Sequence, residues 1–275
     1  MFESIVQIFP IYLADSILSG IYGIDLLKPR IQKRLLLVLW TILYFVMSVV
    51  VYEVFGAKRG VLGIGINILA VFLMQCLFFR INYMRQMFVS FSFIAGKDVL
   101  KYIISVLNYS VSNSTWSYVE RLINNDNQIS VAKANAFVDG YLIILSVLNI
   151  AVYTSLFYVY LKFIEKKYVH RGYEPSLWEN IFLIFPCITA LCISVTLRLL
   201  IVKMEEGTAT IAYDTMPVAR FWIVVICIFL LVSIILTMML FQYLIERNED
   251  NRKQAILEKQ VEQLHREIED IEEIY

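Results

Sequence analysis

Charged residues are scarce in this sequence. Asp, Glu, Lys and Arg make up 17% of the 275 residues, whereas 59% are hydrophobic. A soluble domain usually has about a quarter charged residues, so the composition excludes an ordinary soluble protein. Several runs of roughly 20 apolar residues are long enough to cross a bilayer core of about 30 Å. The sequence therefore predicts an all-α, polytopic membrane protein built as a transmembrane helical bundle.

Residues that carry chemistry are also few. The chain has two histidines, His170 and His265, and four cysteines, all of which lie inside apolar runs. It shows no phosphate-binding glycine loop, zinc motif or Ser-His-Asp set. We therefore expect no catalytic residue, no metal site and no cofactor within these residues. The net charge is zero and no basic domain is present, so nucleic acid is not an expected partner.

Six apolar runs are predicted to cross the membrane. Each has the length of a spanning helix. The runs are Ile5–Ile24, Leu35–Phe55, Val61–Phe79, Phe137–Leu161, Leu177–Ile201 and Val218–Leu240. Pro10 and Pro186 lie inside two of the runs, where each can kink a helix. Pro217 lies at the predicted first position of the last span, where its missing N–H costs nothing.

The segment Arg80–Ala136 decides the topology, because it is mildly apolar at first and then rich in Asn and Ser. If it crosses once, eight cations of the first half of the chain face the cytoplasm and two, Lys58 and Arg59, face outside, as the positive-inside rule requires. We therefore favour seven spans over six, with the N-terminus outside and a poor fourth span within Phe88–Trp116. The eight cations are Lys28, Arg30, Lys33, Arg34, Arg80, Arg85, Lys97 and Lys101.

Several acidic and basic residues are candidates for binding a ligand at the outer side. Asp15 lies near the middle of the first span and Arg198 near the outer end of the sixth, and ionisable residues at such depth are functional candidates. We hypothesise that the two approach each other. An outer loop adds Glu205, Glu206 and Asp214, which would suit a peptide or a cationic ligand. The alternatives are that Asp15 pairs within the bundle, that Arg198 extends towards the outer surface, and that the loop is a solvated connector.

The end of the chain has a different character. Glu246–Tyr275 contains 15 charged residues, against 33 in the preceding 245. Apolar residues recur there at spacings of four and three, which is the seam of a coiled coil. β-branched residues at a and Leu at d favour a parallel, two-stranded coil, so we predict a homodimer. The seam consists of Leu257, Val261, Leu264, Ile268, Ile271 and Tyr275.

The charge pattern divides the chain into a transmembrane domain, residues 1–242, and a cytoplasmic signalling helix, residues 243–275. Asp250 and Gln254 occupy seam positions before Leu257, so we expect the stretch Glu246–Gln254 to pack loosely and to be adjustable. His265 lies one position past d, on the flank of the seam. We predict that it is a plain exposed residue.

The helix Leu257–Tyr275, LEKQVEQLHREIEDIEEIY, resembles the signalling helix of peptide-sensing histidine kinases of the GHKL type, the AgrC-like quorum-sensing receptors of Gram-positive bacteria. The resemblance implies a multi-pass sensor in the bacterial cell membrane that forms a homodimer, binds an extracytoplasmic ligand, often a short peptide, and acts on a response regulator. It also implies a phosphoacceptor motif and a domain that binds ATP and Mg²⁺ beyond Tyr275. The function expected of these residues is sensing and signal transmission.

Two other functions fit the composition. A transporter or permease component would contain repeated halves with interrupted helices at the membrane midplane, and no convincing internal repeat is present. A membrane peptidase would need a Cys–His pair at one membrane face, for which His170 and Cys187 are the only candidates. Cys187 lies about ten residues into its span, roughly 15 Å deep, which places it poorly for that role.

Overall fold

The computed structural model describes residues 2–55, 60–80, 82–125, 131–168, 176–208 and 217–274. Within these ranges the chain is helical except for short connecting stretches, which contain one isolated bridge between Pro29 and Phe79. The all-α prediction is thus confirmed for this part of the chain. The helices are α1 (Phe2–Leu26), α2 (Lys33–Phe55), α3 (Gly60–Phe78), α4 (Tyr83–Asn125), α5 (Val131–Tyr168), α6 (Leu177–Thr208) and α7 (Pro217–Ile274).

The helices α1 to α6 alternate in direction. Asp25 near the end of α1 binds Lys162 near the end of α5 at 2.8 Å. The ring of Tyr168, the last residue of α5, stacks on Phe88 near the start of α4 at 4.6 Å between centroids, and its hydroxyl binds Asn180 near the start of α6. We call this end of the bundle, where α1, α3 and α5 end and α2, α4 and α6 begin, the basal end, and the opposite one the distal end.

The helix α4 occupies the centre of the bundle. The other helices close a ring around it in the order α1, α2, α3, α6, α7, α5, each packing against the next. Within this ring α4 itself packs against α1, α3, α5, α6 and α7. Its residues Ser92–Leu100 are all buried, which requires neighbours on every side of the helix.

Close packing around α4 depends on one small residue. Gly96 faces Tyr160 of α5, and a Cβ atom at this position would overlap the tyrosine ring. Three aromatic rings surround its neighbour Phe93, those of Tyr22, Tyr44 and Phe157, with centroids at 6.3, 6.0 and 5.1 Å. The missing side chain thus lets α4 approach α5 closely at the level of these aromatic rings.

The sequence left open whether the segment Arg80–Ala136 crosses the membrane. Most of its described part forms the long central helix α4. The helix begins beside Tyr168 at the basal end. Near the distal end, its Tyr109 lies under the guanidinium of Arg220, in the first turn of α7, at 5.4 Å from the ring centroid. The segment therefore runs from one end of the bundle to the other.

The six apolar runs all form helices, and α7 begins at Pro217, as predicted. Pro10 and Pro186 lie inside α1 and α6. Four helices are long and apolar enough to cross a membrane, and the described part of α3, Leu62–Phe78, is apolar but shorter. The stretches that meet this criterion are Lys33–Val51, Ile143–Tyr168, Leu177–Ile201 and Val218–His265.

The last helix extends beyond the bundle. The 58 residues of α7 span about 87 Å at 1.5 Å per residue, whereas the 23 residues of α2 span about 35 Å. Ile245 is the last residue of α7 described as buried, and none is buried from Glu246 to His265, where the description of side chains ends. The boundary predicted at residues 242/243 falls inside this continuous helix, close to where its burial stops.

Candidate functional site

A group of ionisable side chains lies in the interior of the bundle, organised by α4. Lys97, Asp98, Lys101 and Tyr102 follow one another at i, i+1, i+4 and i+5, so they form two adjacent pairs along the helix surface. Lys97 and Lys101 face α1, whereas Asp98 and Tyr102 face α6. These positions are about 20–30 Å from the basal start of α4. We call Asp15, Lys97, Asp98, Lys101 and Arg198 the charged cluster.

Asp15 of α1 is the most buried member, with no exposed surface. Its carboxylate accepts hydrogen bonds from Lys101 Nζ at 2.9 Å and from the hydroxyl of Tyr153, on α5, at 2.7 Å. Lys97 Nζ lies 3.4 Å from the same carboxylate oxygen that Lys101 binds. A single carboxylate thus joins α1, α4 and α5.

Lys97 connects this carboxylate to α2. Its ammonium group donates a hydrogen bond of 3.0 Å to the hydroxyl of Tyr44. Only 8% of the Lys97 side chain is exposed, so its charge is stabilised by Asp15 and by hydrogen bonding rather than by water. A buried charge without such partners would cost several kcal/mol (about 3–5), which makes the two contacts essential to this packing.

The face of α4 towards α6 holds the second acid. Asp98 accepts a hydrogen bond of 3.3 Å from Ser194 Oγ, and its carboxylate lies 4.0 Å from the Arg198 guanidinium. The hydroxyl of Tyr102 donates to the Ser194 carbonyl at 3.2 Å and accepts from Arg198 Nε at 3.4 Å. These longer distances indicate a less tightly held arrangement than the one around Asp15.

The structure assigns different partners to the two residues that the sequence hypothesis paired. Asp15 binds Lys97 and Lys101 of α4 and Tyr153 of α5, whereas Arg198 contacts α4. Since helix α4 lies at the centre of the ring, the two residues are linked through it and form no ion pair with each other. The alternative that Asp15 pairs within the bundle describes its environment.

The other predicted ligand residues add little to the site. Glu205 and Glu206 belong to the last turns of α6, but their side chains lie outside the described part of the structure. Asp214 falls between α6 and α7, also outside the described residues. The ligand-binding role proposed for these three therefore stays a prediction.

Sequence reasoning misplaced Lys97 and Lys101, which it counted among the cytoplasmic loop cations. Both lie in the interior because Asp15 supplies a counter-charge there. One signal was present. The pattern Lys-Asp-x-x-Lys-Tyr puts its two lysines one helical turn apart, shortly after the mildly apolar run that ends at Ile94, and a loop would not require that spacing.

The predicted seam is exposed on the single chain. Leu257, Val261 and Leu264 are 58%, 65% and 58% exposed, although each is apolar. Ile268 and Ile271 lie on α7 with side chains outside the described part, and Tyr275 is outside it altogether. His265 is exposed, as predicted.

The exposed seam continues along α7 towards the start of the helix. Every seventh residue from 222 to 264 is exposed, and all except Asp250 are apolar or aromatic: Trp222, Phe229, Leu236, Tyr243, Asp250, Leu257 and Leu264. The buried residues of the same helix lie on its other side, among them Ile234, Met238, Phe241 and Ile245. The bundle therefore uses one face of α7 and leaves a face in phase with the seam uncovered.

The described residues contain no group of three His, Cys, Asp or Glu side chains arranged to hold a metal ion. Cys187 and Cys227 are buried and Cys76 is half-buried, as expected for small apolar residues, whereas Cys192 is exposed. The Cys187 thiol donates to the Leu183 carbonyl one turn earlier. His170, its only possible partner in a peptidase, falls outside the described residues.

Comparison with known proteins found no relative of this chain. No protein-family model, no curated protein and no solved structure matches it.

Proposed function

We propose that this chain is the sensing and signal-transmitting part of a membrane histidine kinase. One observation carries the proposal. The helix α7 packs against α4, α5 and α6 in the bundle and continues without interruption into an exposed heptad segment. Because a helix transmits displacement along its length, any ligand that alters the packing of α4 or α6 would also move the seam.

The distribution of cations supports a membrane orientation with the basal end in the cytoplasm. Six of the eight cations counted from the sequence remain near that end once Lys97 and Lys101 are placed in the interior. Lys166 and Lys167 in the last turn of α5 join them. By the positive-inside rule this distribution supports a cytoplasmic end of α7. With α4 as the central crossing, the chain has seven spans and an extracytoplasmic N-terminus.

The exposed face of α7 supports a parallel homodimer. A straight helix drifts by about 20° per heptad relative to a strict seven-residue repeat, so the face from Trp222 to Leu264 would remain at a partner only in a left-handed supercoil. Anchoring in one membrane raises the effective concentration of the two helices, which compensates for a coil of few heptads. The lipid bilayer covers the rest of the apolar surface.

Transmission requires two packings of similar free energy. A ligand shifts such an equilibrium only by its difference in affinity for the two states. Asp250 interrupts the apolar face of α7, and the stretch Glu246–Gln254 around it carries local contacts only, such as the Asp250–Lys253 pair at 3.5 Å. We place the adjustable segment there. The ligand is extracytoplasmic, a peptide or small molecule, and the kinase domain would bind ATP and Mg²⁺ and phosphorylate a response regulator.

One observation favours a transporter instead, namely a charged cluster deep in the bundle. Against it, none of the helices in the described ranges is interrupted, whereas transporter sites commonly use broken helices. The peptidase alternative loses support because the Cys187 thiol is fully buried and bonded to its own helix.

A chimera tests the transmission role. Residues 1–275 are fused, in heptad register, to the catalytic core of a well-characterised histidine kinase, and a series of linkers inserts one to seven residues at the junction. We expect autophosphorylation in membrane vesicles to change with insertion length and to return to its starting value at seven residues, because one heptad restores the register. An output that is absent or independent of insertion length would reject transmission through α7.

A further inference from the structure

Two loops lie side by side at the basal end of the bundle. One connects α1 to α2 and the other connects α3 to α4, and an antiparallel bridge joins them. The Arg30 N–H donates to the Phe78 carbonyl at 3.0 Å. The Arg80 N–H donates to the Lys28 carbonyl at 2.9 Å. The backbone therefore holds Arg30 and Arg80, which are distant in the sequence, next to each other.

The bridge directs both arginines outward. Side chains alternate between the two faces of paired strands, and Phe79, the residue before Arg80, is fully buried and packs on Trp40 at 5.7 Å between centroids. Arg30 and Arg80 are both exposed. They occupy diagonal positions across the bridge, about 7–8 Å apart, within the reach of long side chains. Two guanidinium groups placed in this way can bind one phosphate group.

The start of α2 adds two more cations at the same end. Lys33 and Arg34 are its first two residues, both are exposed, and its first turn contains no acidic residue. The positive end of the helix dipole lies there, so cations are unfavourable and an anion is favourable. By contrast α6, which begins at the same end, has a capping box in which Ser176 and Glu179 accept each other's backbone N–H. We call Arg30, Lys33, Arg34 and Arg80 the basic patch.

The basic patch has no acidic counterpart nearby. Residues 26–35 and 78–88, which contain the two loops, include four and two Lys or Arg residues and no Asp or Glu. Asp25, just before the first of these segments, binds Lys162 of α5 at 2.8 Å. Within the described part of the chain, no member of the patch forms an ion pair. The patch therefore carries positive charge that an external anion would neutralise.

An apolar surface begins directly beside the basic patch. Leu35 follows Arg34 on α2, and Leu77 lies three residues before Arg80 on α3; both leucines are exposed. The two helices pack against each other. Their exposed apolar side chains continue away from the patch with Val38, Ile42 and Val46 on α2 and Leu73 and Leu69 on α3. A ligand that matches both surfaces has an anionic head and apolar chains, whereas an acidic protein segment would match the charge alone.

We propose that the basic patch binds the phosphate of an anionic phospholipid whose acyl chains lie along α2 and α3. Basic groups at the cytoplasmic side of a helical bundle recognise such headgroups, and arginine can bind a phosphate through two N–H groups at once. The inference goes beyond the proposed function, because it needs neither an outer ligand nor a kinase domain. Bound lipid would hold the α1–α2 pair against the α3–α4 pair at the loops.

The test uses residues 1–275 in dodecyl maltoside micelles, to which phosphatidylglycerol or phosphatidylcholine with the same acyl chains is added. Binding to the folded state raises the thermal unfolding midpoint. We expect phosphatidylglycerol to raise the midpoint and phosphatidylcholine to leave it unchanged. The double variant Arg30→Gln/Arg80→Gln should weaken phosphatidylglycerol binding by roughly thirtyfold, read from the lipid concentration that raises the midpoint.

A matched variant separates the patch from the general charge of the basal end. Lys166→Gln/Lys167→Gln removes two positive charges from the last turn of α5 and should retain the phosphatidylglycerol effect. Arg30→Lys/Arg80→Lys keeps the charge and should retain part of it. Without lipid, the arginine variants should unfold near the wild-type midpoint, because both positions are exposed. Equal responses to the two lipids, an undiminished response in Arg30→Gln/Arg80→Gln, or an equal loss in the Lys166/Lys167 variant would overturn the proposal.

Two soluble probes represent the other sources of negative charge. Glycerol 3-phosphate has the phosphate without acyl chains, and poly-glutamate represents an acidic protein segment. Neither should raise the midpoint at the concentrations at which phosphatidylglycerol does. A rise with glycerol 3-phosphate that Arg30→Gln/Arg80→Gln abolishes would assign the patch to a free phosphate. The same result with poly-glutamate would assign it to an acidic protein, and either result would overturn the lipid site.

Discussion

The two longest described helices, α4 and α7, differ in which side chains they bury and which they expose. The central helix α4 buries charged side chains and satisfies them with partners from the same chain, such as Asp15 for its two lysines. By contrast, α7 exposes apolar side chains, such as Phe229 at 70% and Val261 at 65%, that the chain itself leaves uncovered. The contrast separates what one chain can stabilise alone from what requires lipid or a second copy.

The difference also bears on how each helix can change. The position of α4 is fixed by aromatic contacts, ion pairs and hydrogen bonds from all six surrounding helices. The exposed part of α7 is held by few contacts within the chain, and such regions lie at the low-stability end of a structure. Under the proposed sensing function, a ligand would therefore be detected at α4 and the response would be expressed at α7.

The largest loss of stability is expected when Asp15, which pairs with two lysines of α4, loses its carboxylate. Asp15→Asn leaves Lys97 and Lys101 close together without a counter-charge, and breaking a buried pair in this way costs about 3–5 kcal/mol. Denaturant titration of the protein in micelles measures the change in the free energy of unfolding. The double variant Asp15→Asn/Lys101→Met, which also removes a cation, should recover part of the loss. Full stability of Asp15→Asn would show that α4 does not depend on this pair.

A smaller loss is expected from adding a methyl group to α4. Gly96→Ala forces a Cβ atom into the ring of Tyr160, and overpacking of this kind costs about 1–3 kcal/mol. Gly65→Ala is the matched control, because a Cβ atom there meets nothing within 4 Å and Ala favours a helix more than Gly. Equal stability of the two variants in the same titration would contradict the close approach of α4 and α5.

The hydroxyl of Tyr153 tests a single hydrogen bond to Asp15. Tyr153→Phe removes a buried bond of 2.7 Å, and hydrogen bonds between membrane helices contribute about 0.6–1.7 kcal/mol. Tyr158→Phe, on the same helix but 45% exposed, should be neutral. If both variants behave alike in thermal unfolding, the polar contact between α5 and α1 contributes nothing measurable.

The smallest effect on the bundle is expected from changes in the seam. Val261→Asn and Leu264→Asn alter exposed positions, and surface substitutions usually change stability by less than about 0.5 kcal/mol. Thermal unfolding at a protein concentration that keeps the chain monomeric should therefore be unchanged, while light scattering at higher concentration should show fewer dimers. A clear loss of monomer stability would mean that α7 packs on its own bundle at these positions.

Much of the fold could be predicted from the sequence. Apolar runs predicted six of the seven described helices, and Pro217 predicted where α7 begins. The centre was harder, because α4 carries Lys97, Asp98 and Lys101 and so has no continuous apolar run. Its burial depends on residues distant in the chain, above all Asp15 and Tyr153, and no local pattern shows which of them meet.

The site was predictable only in part. Asp15 was noticeable because an acidic residue in an apolar run is rare. Its partners Lys97 and Lys101 were missed, because the positive-inside rule was applied to them as if they lay in a cytoplasmic loop. Arg198 stood out for the same reason, and its link to α4 through Asp98 and Tyr102 is a tertiary contact. The seam was visible because its repeat is local, and its continuation to Trp222 was hidden within a run where every residue is apolar.

The most direct test of the account asks whether the exposed face of α7 meets a second copy. In a background with the four cysteines replaced by alanine, single cysteines are introduced at positions 243, 257 and 264 on the seam, and at positions 252 and 259 on the opposite face of the helix. The chain is oxidised in membranes and analysed for dimers. We expect strong crosslinking at 243, 257 and 264 and little at 252 and 259. Equal crosslinking on both faces, or none on the seam, would contradict the parallel α7 dimer and the signalling role built on it.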